Sequence, residues 1–216
     1  MNLKACIFDL DGVIVDTAKF HFQSWKMLTD EIGASFDHEI NEQLKGVSRL
    51  TSLQTILDLN GIVISNMEKE KLAVKKNDWF VEMVNTMTPE DTLPGVVNFL
   101  DILDQNGIKT AVGSASKNAI LALTKIELID RFDTIIDGSM VSEAKPNPEV
   151  FLKAASDINV APENCVVFED AIAGIQAAHN GGMRCIGIGD NTILQKADLV
   201  IHSFLDVDLQ TVRNLI

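Results

Sequence analysis

The sequence predicts an α/β fold: a Rossmann-like core on a parallel sheet, carrying an inserted helical cap domain. Three observations predict it. Short apolar runs recur at residues 3–8, 108–113, 164–168, 184–188 and 198–201, each closed by a polar residue or a glycine. Helical patterns stand between the later runs, an alternation that calls for parallel strands joined by right-handed crossovers. From about residue 15 to residue 90, helical stretches follow one another without a convincing strand. That stretch reads as an insert, so the expected core comprises residues 1–15 and 89–216, and the expected cap residues 16–88.

The first run, ending at Phe8, is continuously apolar, as a strand covered on both faces must be, and it leads into Asp9-Leu10-Asp11-Gly12. Ligands gather outside the carboxyl ends of parallel strands. On a strand continuing through both, alternation aims positions 9 and 11 the same way, and Gly12 lets the backbone turn just beyond. Two carboxylates so close repel, and a cation or a shared proton relieves the repulsion. In the insert, helices are expected at 17–32, 38–43, 49–59 and 66–87, with turns at Gly33, Gly46 and Asn60-Gly61. Ile62-Val63-Ile64 is the one short strand candidate there. Thr88-Pro89 and Leu93-Pro94-Gly95 mark the return to the core, because the residue before a proline disfavours helix. Further on, Val96, Val97, Leu100 and Leu103 recur at helical spacing over 95–106, a stretch ended by Asn106-Gly107. Residues 116–128, 147–158 and 171–180 read the same way, the last closed by Gly181-Gly182.

Composition narrows the partners. The 216 residues are 46% hydrophobic and 23% charged, and no apolar stretch approaches the roughly 20 residues that span a bilayer. Met1-Asn2-Leu3-Lys4 runs straight into the first strand, so no cleaved leader is expected and the chain is expected in the cytoplasm, without a membrane partner. A formal charge of −13 argues against nucleic acid, which requires clustered cations. A small phosphorylated substrate needs only a local set of Lys and Arg. Cys6, Cys165 and Cys185 all lie in apolar runs and are expected as buried reduced thiols. A monomer is expected.

Four motifs carry the chemistry: Asp9-Leu10-Asp11-Gly12, Gly113-Ser114-Ala115-Ser116, Lys145-Pro146-Asn147-Pro148 and Phe168-Glu169-Asp170. Singly each has an ordinary reading, as turn aspartates, a helix N-cap, a solvated lysine or an acidic helix start. In this order along the whole chain they resemble the phosphotransferases of the haloacid dehalogenase superfamily. The resemblance implies Asp9 as nucleophile and Asp11 as general acid and base. It implies one Mg²⁺ per chain, held by Asp9 and Asp170, with Glu169 as a direct or supporting group and the Asp11 backbone carbonyl as a further oxygen. It implies Ser114 and the Ala115 N–H as partners of the transferring phosphoryl oxygens, and Lys145 as the cation that offsets their charge. Ala171 stands where many relatives carry serine, so the surroundings of the metal are expected to differ while the carboxylates remain.

The insert narrows the resemblance. Thr17, His21, Trp25, Lys45-Gly46-Val47-Ser48-Arg49, Lys75-Lys76-Asn77-Asp78 and Ser116-Lys117-Asn118 are similar to the β-phosphoglucomutase branch of the superfamily. That branch interconverts β-glucose 1-phosphate and glucose 6-phosphate, with β-glucose 1,6-bisphosphate as intermediate and activator. By the resemblance Arg49 and Lys117 hold the phosphate that is not being transferred, helped by Ser116 and Asn118. Leu44 and Val47 touch the sugar, and Lys45, Gly46, Ser48 and Ser52 complete its site. Thr17, His21 and Lys76 position or gate Asp11 as the cap closes, while Trp25 reads as core. Two other readings stand beside this one. A sugar-phosphate phosphatase on the same scaffold would pass the phosphoryl group to water. A phospho-accepting receiver module also clusters carboxylates with Ser/Thr and Lys, but lacks an insert of about 70 residues after its first acidic pair.

Overall fold

The computed structural model describes residues 2–216. Six strands form one parallel sheet: β1 (Ala5–Phe8), β2 (Lys109–Gly113), β3 (Thr134–Ile136), β4 (Cys165–Glu169), β5 (Arg184–Ile188) and β6 (Leu199–Ile201). Their spatial order is β3-β2-β1-β4-β5-β6, every neighbouring pair parallel. Strand β1 is therefore central, with Phe8 opposite Val112 on one side and Phe168 on the other. Its four residues are buried, and this is why the run contains no polar residue. Cys6 and Phe8 face one apolar cluster and Ala5 and Ile7 face the other. The Phe8 and Phe168 rings stack with centroids 5.0 Å apart, and Phe99 and Phe204 close around them. Burying each such ring contributes roughly 1.5–3 kcal/mol.

Helices α5 (Val96–Gln105) and α6 (Ala119–Lys125) supply the first cluster, together with α9 (Leu209–Arg213). Helices α7 (Glu149–Asp157) and α8 (Ile172–Asn180) supply the second. Strands β2 and β3 lie to one side of β1, and β4, β5 and β6 to the other, so the connections leave β1 and β4 in opposite directions. A crevice results above their carboxyl ends.

The insert consists of α1 (Ala18–Ile32), α2 (His38–Glu42), α3 (Arg49–Leu59) and α4 (Asn66–Val84) around a cluster of its own, including Trp25, Leu28, Leu53, Ile56 and Ala73. Ser48 and Ser65 cap α3 and α4 by accepting from Thr51 N and Glu68 N. The two connections to the core run side by side, with Val15 bridged to Thr92 and Leu93 N–H donating to Ile14 O at 2.9 Å.

The structure differs from the sequence-based expectation at several points. Ile62–Ile64 is extended loop that joins no sheet. Strand β3 and helix α9 were not expected; β3 is a three-residue edge strand, half-buried at two positions, too short to show a period. The expected helix at 116–128 begins only at Ala119, because Ser116 and Lys117 turn over the end of β2. The 66–87 helix ends at Val84, and the 147–158 helix starts at Glu149, beyond two prolines. All three cysteines are free and buried. Among the described residues no helix is long and apolar enough to cross a membrane.

Candidate active site

Four of the groups singled out in the sequence stand at strand ends: Asp9 just after β1, Ser114 just after β2, and Glu169 and Asp170 at the end of β4. Lys145 arrives from the loop between β3 and α7. Its ammonium donates to Asp9 Oδ1 at 2.5 Å and to Glu169 Oε1 at 2.6 Å, and all three side chains are buried. Burial works against the lysine's charge, but Asp9 and then Glu169 outweigh it and hold its pKa above the ordinary value. Burial pushes Glu169 up to about 7 against the pull of Lys145. The other Glu169 oxygen accepts from Ala171 N–H at 2.7 Å, so Ala171 acts here through its backbone. Gly174 makes room for this carboxylate, since a Cβ there would fall 1.8 Å from Glu169 Oε1.

Asp11 is held from the cap side. The Thr17 hydroxyl donates to its Oδ1, and His21 Nε2 lies 3.8 Å from its Oδ2. Burial first, and then the charge of Asp9, raise the Asp11 carboxyl to about 6. Behind His21, Lys76 Nζ sits 2.9 Å from Nδ1 and over the rings of Trp25 and Phe80 at 4.8 and 4.7 Å. Burial, then Arg49, lower Lys76 to about 7. His21 is driven well below its ordinary value by burial, then by Lys76 and Arg49, and is neutral near pH 7. When Lys76 is charged it can only donate to Nδ1, and the neutral ring then carries its proton on Nε2, the nitrogen nearer Asp11.

Asp170 lies against the turn after β1. Its pKa is raised well above the usual carboxylate range by burial, then by Glu169 and Asp9. Lys45 Nζ, from the cap, approaches Asp170 Oδ2 at 3.6 Å and Glu42 Oε2 at 3.1 Å. The donor set is all oxygen and its carboxylates repel one another, which suits a hard divalent cation. Among the described residues no three His, Cys, Asp or Glu side chains converge into a ready-made cage. Mg²⁺ does not need one, because it keeps waters and takes substrate phosphate as ligand. Both Glu169 oxygens are already engaged by Lys145 and Ala171, which favours a supporting position over direct ligation.

Gly12 has φ +81°, and a Cβ there would lie 2.4 Å from Asp170 Oδ2. Gly12→Ala is expected to displace Asp170, costing about 1–3 kcal/mol of stability and at least about tenfold in divalent-ion affinity. Urea unfolding and calorimetric Mg²⁺ titration check the two; wild-type values in both would refute the close fit.

A cleft of about 860 Å³ opens between cap and core. Asp9, Asp11, Lys145 and Asp170 line it, as do His21, Leu44, Lys45, Gly46, Val47, Ser48, Arg49, Ser52, Lys76, Ala115, Ser116, Lys117 and Asn118. Thr17, Ser114 and Glu169 are fully buried behind its wall. Ser114 Oγ accepts from Ser116 N–H at 3.1 Å. Ser48 and Ser52 have structural partners as well: one caps α3, and the other's hydroxyl donates to Ser48 O at 3.1 Å. Gly46, with φ +73°, brings the cap loop against the core at Ala171. Among the described residues neither Arg49 nor Lys117 makes an ion pair, whereas Lys45 and Lys145 both do. Burial lowers the Arg49 pKa, so this cation sits in the cleft with its solvation reduced.

Sequence reasoning passed over two features. Trp25 does line the cleft, and its place four residues after His21 on α1 put it on the same helix face. Asn77 accepts from the Asn118 side-chain amide at 2.9 Å, joining cap to core; no local pattern reveals that contact.

Comparison with known proteins adds to the geometry. The family model described as haloacid dehalogenase-like hydrolase matches residues 3–182. A β-phosphoglucomutase of Bacillus subtilis is 41% identical over 96% of this chain and 93% of its own. A fructose-1-phosphate phosphatase of Escherichia coli is 32% identical over 84% of this chain and 94% of its own. The crystal structure of a β-phosphoglucomutase from Clostridium difficile superposes with a TM-score of 0.94 at 40% identity, covering 98% of this chain and 96% of that one.

Proposed function

This chain belongs to the haloacid dehalogenase-like hydrolase family, and from that premise we propose that it is a β-phosphoglucomutase. It interconverts β-glucose 1-phosphate and glucose 6-phosphate through an aspartyl-phosphate enzyme and β-glucose 1,6-bisphosphate. One observation carries the reading: a single cleft holds both a carboxylate–lysine centre and two cations, Arg49 and Lys117, that make no ion pair among the described residues. A bisphosphate that must bind in two orientations needs an anchor at the phosphate that is not reacting. Arginine suits it, since its planar fork binds phosphate oxygens in pairs.

In the proposed cycle Asp9 attacks phosphorus and the bond to the sugar oxygen breaks. Asp11 gives that oxygen a proton. With the C1 phosphorus of the bisphosphate as the one attacked, glucose 6-phosphate leaves. An incoming β-glucose 1-phosphate then presents its 6-hydroxyl to the phosphorylated Asp9, Asp11 takes that proton, and the new oxygen–phosphorus bond remakes the 1,6-bisphosphate and releases Asp9. A carboxyl titrating near 6 serves both directions close to neutrality. Thr17 fixes one Asp11 oxygen and the His21–Lys76 pair faces the other, so cap closure orients the acid. Ser114 and the Ala115 N–H meet the transferring phosphoryl oxygens, and Lys145 offsets their charge. Leu44, Val47 and the Lys45–Ser52 segment receive the sugar. Asp9, Asp170 and the Asp11 backbone carbonyl would hold Mg²⁺, which would further neutralise the phosphoryl charge. The 16–88 cap moves as a unit over the core, and the enzyme works in the cytoplasm as a monomer on a small phosphosugar, without nucleic acid or membrane.

Phosphorus NMR tests the reading. With Mg²⁺ and a trace of glucose 1,6-bisphosphate, β-glucose 1-phosphate is expected to become glucose 6-phosphate with little free phosphate. Phosphate release outrunning isomerisation would replace the mutase with a sugar-phosphate phosphatase, as the 32% identical relative from Escherichia coli is named.

A further inference from the structure

We propose that Glu149, at the start of α7 and outside the catalytic cleft, is a positioning residue for Lys145; the proposal rests on the functional reading above. Lys145 is the one charged group of the centre that no strand end delivers. The chain from Asp137 to Pro148 that carries it has no regular structure. Within this segment the backbone bonds only at Met140 N to Asp137 O and Asn147 N to Ala144 O. To the rest of the protein it is tied by Gly138 N–H donating to Ser116 O at 3.2 Å and by the Asn180 side-chain amide donating to Pro146 O at 3.0 Å, and the largest share of its hold comes from one carboxylate oxygen. Glu149 Oε2 accepts from Ser142 N–H at 2.9 Å, Ser142 O–H at 2.8 Å and Glu143 N–H at 2.8 Å. Its other oxygen accepts from Lys153 at 2.6 Å, and Lys153 also donates to Met140 O at 2.7 Å.

These contacts grip the loop two residues before Lys145. The inner side of the same loop, from Val141 to Lys145, lines the catalytic cleft. Helix α7 is a firm anchor, since it packs on β1, β2 and β3. Two residues after Glu149 it also supplies Phe151, whose ring lies 4.6 Å from Lys145 Nζ. The lysine is thus set from beneath by Phe151 and along its loop by Glu149. The bonds from Lys153, the Glu143 amide and the Ser142 hydroxyl hold the Glu149 carboxyl down to about 2, so it accepts as a carboxylate across the working pH range. An ammonium that must bridge Asp9 and Glu169 tolerates little displacement, and a misplacement of about 1 Å can cost on the order of 100-fold in rate.

The test compares Glu149→Ala with Glu149→Gln by steady-state kinetics on β-glucose 1-phosphate and by thermal unfolding. Glu149→Ala is expected to lose about tenfold or more in kcat, with KM within about twofold and Tm within a few degrees. Glu149→Gln keeps an oxygen for the three loop donors and is expected to restore kcat to within about threefold of wild type. An unchanged kcat in Glu149→Ala overturns the proposal. So does a loss that appears mainly in KM, a variant unfolded at the assay temperature, or failure of the glutamine to rescue. Absence of turnover of any phosphosugar by the wild-type chain would instead sink the functional reading, which keeps the two failures distinct.

Discussion

Asp9→Asn is expected to abolish turnover, lowering kcat by at least about 10⁴-fold, on the scale seen when a catalytic nucleophile is removed. The uncatalysed reaction is among the slowest known, with accelerations of up to about 10²¹ recorded for phosphate monoesters, and splitting it at a covalent intermediate needs an oxygen that can attack phosphorus. An amide oxygen is a poor nucleophile. The fold is expected to survive, because the amide carbonyl of asparagine can still accept from Lys145, which now reaches Asp9 Oδ1 at 2.5 Å. Two measurements check this. Phosphorus NMR follows isomerisation, and intact-mass analysis after exposure to the bisphosphate reports phosphoryl transfer to the protein. Robust turnover by Asp9→Asn, confirmed with Asp9→Ala to exclude deamidation, would overturn the assignment of the nucleophile.

Lys145→Met is expected to damage both stability and catalysis. Lys145 and Glu169 are buried to 3% and 0% exposure, and Asp9 to 5%. Removing the cation leaves two neighbouring carboxylates inside the protein without their counter-charge, a change that typically costs about 3–5 kcal/mol. The intact pair need not be worth that much, since the loss measures the carboxylates left behind. Because the folded-state pKa of Lys145 lies above its ordinary value, its stabilising charge is present in full at neutral pH and is lost only as pH rises through the alkaline range. Urea unfolding at pH 7 checks the cost, and a midpoint equal to wild type would refute the buried bridge. Turnover measured well below the urea and thermal transitions separates the catalytic loss from unfolding.

The legible part of the site was the part that is local in the chain. Asp9, Ser114, Glu169 and Asp170 each follow an apolar run closely, and in a parallel sheet such runs end on one edge. Lys145 was legible through its motif, but the means by which its loop is held was not. Glu149 looks like an ordinary acid in a first helical turn until the Ser142 and Glu143 donors are seen converging on it. Trp25 reads as core from its spacing, and it is buried, yet its ring also faces the Lys76 ammonium. Strand β3 escaped notice because three residues, two of them half-buried, are too few to show a periodicity. The strand candidate at Ile62–Ile64 forms none for the converse reason: an apolar triplet with no neighbouring strand to receive its hydrogen bonds stays a loop.

By itself the sequence determined the class of the fold, the helical character of the insert and the identity of the acidic centre. Each depends on periodicity or on residues adjacent in the chain, and such patterns act over a few residues whatever the rest of the molecule does. Tertiary structure alone decided which charges are paired and which stand free. Lys145 is bound between Asp9 and Glu169, Lys76 is stripped of solvent behind His21, Lys45 is drawn to Asp170, and Arg49 faces the cleft in no ion pair among the described residues. Charge pairing depends on distance and desolvation between residues far apart in the chain, and those quantities exist only once cap and core are packed.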